Sequence, residues 1–89
     1  MKQISRPAEY RRWSMNKREV WDTAILHPEN TFKSRDLGIH TGQIVGRAMS
    51  ELVESGYFTK FKGGGDWVRY VYTATSLFLS YKKVYHRER

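Results

Sequence analysis

The segment from Thr41 to Lys62, TGQIVGRAMSELVESGYFTKFK, constrains the possible fold more than any other part of the chain. Its apolar residues recur at i, i+3, i+4 and i+7, a pattern that predicts a helix with one buried face: Val45, Ala48, Met49 and Leu52. The Thr41 hydroxyl is suited to cap the first turn, and Gly56 is suited to end the helix. Residues typical of a β-strand follow at once. We therefore expect an amphipathic helix that runs directly into a strand.

A returning strand is predicted after a turn rich in glycine. The two arms, Tyr57–Lys62 and Trp67–Thr73, are rich in aromatic and β-branched residues. Between them lies the sequence Gly63-Gly64-Gly65-Asp66, which favours a tight turn. One face of this hairpin should cover the core, and the other should meet solvent or a ligand.

Two segments before this unit are also patterned. A first helix is predicted from about Asn16 to Leu26, with Asn16 as N-cap, Glu19 as its capping-box partner and Pro28 beyond its end. Its expected buried face is Val20, Trp21, Ala24 and Ile25. Two structures fit Asn30–Gly38: a brief strand at 31–33 with Ser34 capping one helical turn, or a helix from Asn30 that buries Phe32 and Leu37. Gly38 ends the segment in both.

Both ends of the chain leave alternatives open. Residues 1–12 fit either a loose basic arm or a short helix, capped by Ser5 or Pro7, that carries Tyr10 and Trp13. A C-terminal helix, Ser76–Tyr85, is predicted to place five large side chains on one face: Leu77, Phe78, Tyr81, Val84 and Tyr85. This face either packs back on the first helix or forms a homodimer interface. So many apolar residues on the terminal helix of a small domain slightly favour the interface.

Length and composition exclude several classes of protein. With 89 residues, one domain with one small core is expected. The absence of cysteine excludes disulfides and makes a structural zinc site improbable. No run approaches the roughly 18 apolar residues of a membrane span, and no secretion signal is visible. We expect a cytoplasmic protein with no membrane contact, cofactor or small-molecule ligand.

The charge balance indicates a polyanionic partner. The formal net charge is +7, which is typical of proteins that bind polyanions.

Catalytic chemistry has little support in the sequence. The three histidines, His27, His40 and His86, lack metal-ligand spacing. The glycine turn lacks the lysine and Ser/Thr of a nucleotide-binding loop, and it joins two strands instead of a strand and a helix. The chain is therefore not expected to be an enzyme.

The order of helix, short helical turn, capped helix and hairpin over residues 16–73 resembles the winged helix-turn-helix family. The residues that carry the resemblance are SRDLGIHTGQIVGRAMSELVESGYF, although the segment equivalent to the second helix is shorter than usual. The resemblance implies a small α+β domain with a three-helix core and a two- or three-stranded antiparallel wing. Residues 1–15 would form an N-terminal arm or short helix, and residues 74–89 a C-terminal helix suited to dimerisation.

The resemblance also implies a DNA-binding surface. The helix from Thr41 would enter the major groove, with Gln43 pairing with adenine and Arg47 pairing with guanine or bracing a phosphate. Thr41 and Ser50 would contact phosphates, and Gly42 and Gly46 would allow close approach of the backbone. The wing would lie on the backbone or minor groove through Lys60, Lys62, Gly64 and Arg69. Further candidates are Trp67, which either stacks or covers the core edge, and Lys17 and Arg18 as phosphate contacts.

Gly46 raises a separate expectation. A glycine inside a helix costs about 1 kcal/mol relative to alanine, so a compensating feature such as the close approach of another backbone is expected.

The sequence thus predicts a sequence-specific binder of double-stranded DNA, a transcriptional regulator that acts by occupying its site as a homodimer. Two alternatives come from other classes: a winged-helix scaffold whose basic face is incidental, and an RNA- or ribosome-binding protein that reads shape. A steep fall of affinity with salt, and a large difference in affinity between cognate and random duplex, would distinguish the DNA-binding regulator from a scaffold.

Overall fold

The computed structural model describes residues 4–39, 42–63 and 70–87, which form a small α+β domain. This part of the chain contains three α-helices, two short 3-10 helices and three strands. The helices are α1 (Met15–Leu26), α2 (Gly42–Glu54) and α3 (Ser76–Arg87), and the strands are β1 (Thr31–Lys33), β2 (Phe58–Lys62) and β3 (Tyr70–Ala74). The 3-10 helices are Ala8–Arg12 and Ser34–Leu37.

The three strands form one antiparallel sheet in the order β1-β3-β2. Phe32 pairs with Tyr72 and Phe58 pairs with Ala74, and all four side chains are buried. The brief strand at 31–33 followed by a helical turn is confirmed, and the alternative helix from Asn30 is wrong. The reason is the alternation of exposed Thr31, buried Phe32 and exposed Lys33, which has the period of a strand.

The predicted start of α1 requires correction. Ser14 is the N-cap, because its hydroxyl oxygen accepts a hydrogen bond from the Lys17 amide at 3.3 Å. Asn16 lies within the first turn of the helix and is not a cap. Similarly, Ser34 is the first residue of the 3-10 turn, not its cap.

Two glycines end helical segments as predicted. Gly38 has φ 70° after the 3-10 turn, and Gly56 has φ 88° after α2. In this left-handed region a side chain would strain the backbone, whereas glycine adopts it freely. After Gly56 the chain enters β2 within two residues, so α2 and β2 pack against each other.

The core lies between the helices and one face of the sheet, and Trp21 of α1 is at its centre with no exposed surface. The Trp21 ring meets those of Tyr57, Phe78 and Tyr81 at centroid distances of 4.9, 4.7 and 5.4 Å. The expected buried faces of both helices are confirmed, with every member at most 2% exposed: Val20, Trp21, Ala24, Ile25, Val45, Ala48, Met49 and Leu52.

Helix α3 packs back on α1, which confirms the first of the two predicted arrangements. Phe78 is buried, and Tyr81 and Tyr85 pack against the core while remaining partly exposed. Only Leu77 and Val84 of the five predicted interface residues point outward as exposed side chains. The five residues therefore do not form one interface, because the core of this domain needs the large side chains of α3.

The N-terminal segment is part of the same core, so the boundary predicted at residue 15 does not separate two units. Its short 3-10 helix confirms the helical alternative, although Pro7 forms the N-cap without a side-chain hydrogen bond. The Trp21 indole donates to the Ser5 carbonyl at 3.0 Å. Arg6 donates twice to the Asp22 carboxylate, at 3.1 and 3.0 Å, and the Tyr10 hydroxyl donates to the same group at 2.7 Å.

Candidate nucleic-acid interface

The outward face of α2 carries the residues predicted to read bases. At 3.6 residues per turn, Gln43, Arg47, Ser50 and Glu54 lie opposite the buried stripe of Val45, Met49 and Leu52. Gln43, Arg47 and Glu54 are exposed, and Ser50 is partly exposed. The helix is thus held by its inner face, while its outer face presents an amide and a guanidinium one turn apart.

The charge along this face changes sign from one end of α2 to the other. Arg47 lies in the first half of the helix, whereas Glu51 and Glu54 lie in the last turns. The amino end of a helix also carries partial positive charge from its free amides. A polyanion is therefore favoured at the first half of α2 and disfavoured near Glu54, whereas the charge of Glu51 is offset by Lys17.

Gly46 lies on the flank of α2 that faces the 3-10 turn, not on the outward face. Among the described residues, a Cβ atom built on Gly46 would meet the Ser34 hydroxyl oxygen alone, at 3.8 Å, an ordinary van der Waals distance. Within the described ranges, the expected close approach of another backbone is therefore wrong. No contact among the described residues explains a glycine at this position.

The hairpin places two predicted lysines beside the core. Lys60 pairs with Tyr72 and Lys62 pairs with Tyr70, and residues opposite each other point to the same face of a sheet. Because Tyr72 is buried on the helix side of the sheet, Lys60 and Lys62 point to that side too. Both lysines are exposed, because they lie where the hairpin extends beyond the core.

Four of the predicted DNA contacts lie outside the described residues: Thr41, Gly64, Trp67 and Arg69. Gly42 is the first residue of α2.

Lys17 and Arg18 are engaged inside the domain, which corrects their prediction as phosphate contacts. Lys17 is 7% exposed, and its ammonium lies 3.3 Å from the Glu51 carboxylate and 4.5 Å from the centre of the Trp13 ring. The Arg18 guanidinium donates to the main-chain carbonyls of Tyr10 and Arg11. These side chains attach α2 and the N-terminal segment to α1, because the fold brings acceptors to them.

Sequence reasoning missed two residues of this surface. Arg35 is exposed on the 3-10 turn that packs against α2, and Tyr70 is 45% exposed on the helix side of the hairpin. Arg35 could have been predicted, because it forms a basic pair with Lys33 in the sequence KSRD. For Tyr70 there was no such signal, since alternation alone did not show where the core ends.

A depression of about 450 Å³ lies between the loop after α1 and α3. Lys82 lines it, but the Lys82 ammonium donates to the carbonyls of His27 and Glu29 at 2.6 and 3.3 Å and to the Asn30 side chain at 2.7 Å. These bonds use all three of its N–H groups. Burial lowers the pKa of Lys82, while nearby Glu29 opposes the shift. This lysine therefore has a structural role, holding the loop to α3.

The described histidines also have structural partners. The His27 ring accepts a hydrogen bond from the Glu29 amide at 3.1 Å and lies against Phe32, and the His86 ring contacts the Ile25 carbonyl oxygen at 3.2 Å. His40 lies outside the described residues. Within residues 4–39, 42–63 and 70–87, no group of three or more His, Cys, Asp or Glu side chains is arranged to hold a metal ion. Over the same ranges, no helix has the length and apolar character to cross a membrane.

Comparison with known protein families, curated proteins and solved structures finds no match to this chain.

Proposed function

We propose that this chain is a winged helix-turn-helix module that binds double-stranded DNA in a sequence-specific manner and regulates transcription by occupying its site. In this proposal α2 enters the major groove, and the hairpin formed by β2 and β3 lies along the backbone or the minor groove. The 3-10 turn Ser34–Leu37 takes the place of the second helix of the family.

The observation that carries the proposal is the contrast between the two faces of α2. Its inner face is closed, with Val45, Met49 and Leu52 at 0% exposure. Its outer face presents Gln43 and Arg47, the side-chain types that form bidentate contacts with adenine and guanine in the major groove. A helix that only covered a core would need no particular residue types on its exposed face.

The position of the hairpin supports the same function. The exposed Lys60 and Lys62 lie on the side of the sheet that faces the helices, so α2 and the lysines border the same side of the domain. The three-stranded antiparallel sheet, which includes the short strand β1 between α1 and the 3-10 turn Ser34–Leu37, agrees with the two- or three-stranded wing that the resemblance implies.

The first test is a selection of bound duplexes from a random double-stranded pool at near-physiological salt. We expect enrichment of a defined motif. Recovery of DNA without enrichment would leave only charge attraction, and recovery of none would contradict the proposal.

The second test uses variants on the selected duplex. We expect Arg47→Ala to lose about 1–3 kcal/mol of binding free energy and to relax the preference at one base position. Lys62→Ala should weaken cognate and random duplexes alike and reduce the salt slope by about 1. Arg12→Ala removes the same charge from an exposed site on the N-terminal 3-10 helix, and it should retain the preference. Equal preference in the Arg47 and Arg12 variants would show that α2 does not read bases.

We also propose a homodimer, formed through fewer residues of α3 than the five predicted from the sequence. Leu77 and Val84 are one heptad apart on α3 and are both exposed, at 45% and 38%. A palindromic selected motif would support two-fold binding. Substitution of both residues by serine should then convert dimer to monomer in sedimentation experiments.

A further inference from the structure

Tyr70 occupies an unusual position on the hairpin. It is the first described residue of β3, it pairs with Lys62, and it lies on the helix side of the sheet, as the buried Tyr72 does. Unlike Tyr72, it extends past the core and is 45% exposed. The Lys60 ammonium lies 4.4 Å from the centre of its ring. One aromatic side chain is therefore flanked by two lysines.

This cluster of Lys60, Lys62 and Tyr70 connects to the flank of α2 through a short series of contacts. The Tyr72 side chain is hydrogen-bonded to Ser34, and Tyr70 lies two residues before Tyr72 on the same face of β3. Burial raises the pKa of Tyr72, Tyr70 raises it further, and the hydrogen bond with Ser34 opposes both. The Ser34 hydroxyl in turn faces Gly46 of α2. The strand that carries Tyr70 and helix α2 are thus connected through the 3-10 turn Ser34–Leu37, which packs against both.

We propose that the cluster of Lys60, Lys62 and Tyr70 binds one deoxyribose-phosphate unit of a DNA strand whose major groove holds α2. This inference rests on the proposed function and adds Tyr70 to its contacts. The Tyr70 hydroxyl donates to a phosphate oxygen, and the exposed part of its ring packs on the sugar. The two ammonium groups neutralise the phosphate charge.

The exposed position of Tyr70 suits contact with DNA better than packing in the core. The Phe61 side chain lies on the opposite face of the same hairpin, where Phe61 pairs with Val71, and it is 62% exposed. Tyr70 combines similar exposure with a hydroxyl and two cations, the groups that a sugar-phosphate backbone requires. The Phe61 side chain therefore provides a matched control on the other face.

The test measures affinity of the full chain for its selected duplex and for a random duplex by fluorescence anisotropy over a series of salt concentrations. Tyr70→Phe keeps the ring and the Lys60 contact, so its fold is preserved, and we expect about 3- to 10-fold weaker binding from the lost hydrogen bond. Tyr70→Ala should bind more weakly still. Both variants should weaken the two duplexes by the same factor and leave the salt slope unchanged. Lys60→Ala should reduce that slope by about 0.9.

The outcomes separate this inference from the proposed function. If Arg47→Ala loses sequence preference while both Tyr70 variants bind as tightly as the wild type, the DNA-binding proposal stands and the Tyr70 contact is wrong. A Phe61→Ala variant that loses as much affinity as Tyr70→Ala would also overturn it, since the effect would then come from the hairpin as a whole. A wild-type chain that binds no duplex would overturn both proposals.

Discussion

Replacing Gly46 by alanine should stabilise the protein. The helix propensity of alanine exceeds that of glycine by about 0.8–1 kcal/mol at an interior position. The backbone of Gly46 is not in the left-handed region, and within the part of the chain that the structure describes the new methyl would meet the Ser34 hydroxyl oxygen alone, at 3.8 Å. The substitution therefore adds helix stability without a clash. For a domain of this size the gain corresponds to a rise in Tm of about 4 to 8 °C.

The same substitution at the end of the helix provides the control. Gly56 has φ 88°, so Gly56→Ala would force an alanine into the left-handed region, at a cost of about 1–2 kcal/mol. Thermal and urea denaturation of the two variants should therefore shift in opposite directions. A destabilised Gly46→Ala variant would refute the reasoning, because it would require a close neighbour that the structure does not place there.

Gly46→Ala also tests whether Gly46 contacts DNA. Because Gly46 faces the 3-10 turn, we expect its replacement to change affinity for the selected duplex by less than about twofold. A large loss of affinity in a stabilised variant would show that Gly46 contacts DNA and that the duplex passes over that flank of α2.

Two further predictions concern buried polar groups. Lys82→Met should cost about 2 kcal/mol of unfolding free energy, because it leaves the acceptors at His27 and Asn30 without their donor, whereas the exposed neighbour Lys83→Met should change stability by less than about 0.5 kcal/mol in urea denaturation. Equal effects would refute a structural role for Lys82. Burial and a hydrogen bond to Glu9 raise the pKa of Tyr57 far above its ordinary value of 10.0. Its stabilising contribution should be complete below pH 10.0 and lost as the pH rises further, so Tyr57→Phe should make alkaline unfolding less steep; an unchanged pH dependence would contradict this.

Much of the secondary structure could be predicted from local patterns. The apolar spacing in α1 and α2 and the two helix-ending glycines each act within a few residues, and the structure confirms them. The start of α1 was missed by a small margin, since Ser14 and Asn16 are both good caps and only the Ser14 hydroxyl reaches a free amide.

The candidate site was predictable only where it depends on the helix period. The exposure of Gln43 and Arg47 follows from their positions opposite the buried stripe. The internal contacts of Lys17 and Arg18 do not follow from the helix period. Their partners, at Glu51 and on the N-terminal segment, come near only after the chain folds. Charge in a sequence indicates how many cations are available, but tertiary contacts decide which of them remain for a ligand.

The sequence by itself determined the approximate positions of α1 and α2 and which of their apolar residues are buried, because these depend on neighbours within one or two turns. Tertiary structure alone decided between a strand and a helix at 31–33, since three residues form a stable strand only when another strand pairs with them. It also decided that α3 completes the core and that Tyr70 lies beyond it. The packing of α3 depends on Phe78 meeting Trp21 and Phe58, which are distant in sequence, and burial of these large apolar side chains provides the main driving force.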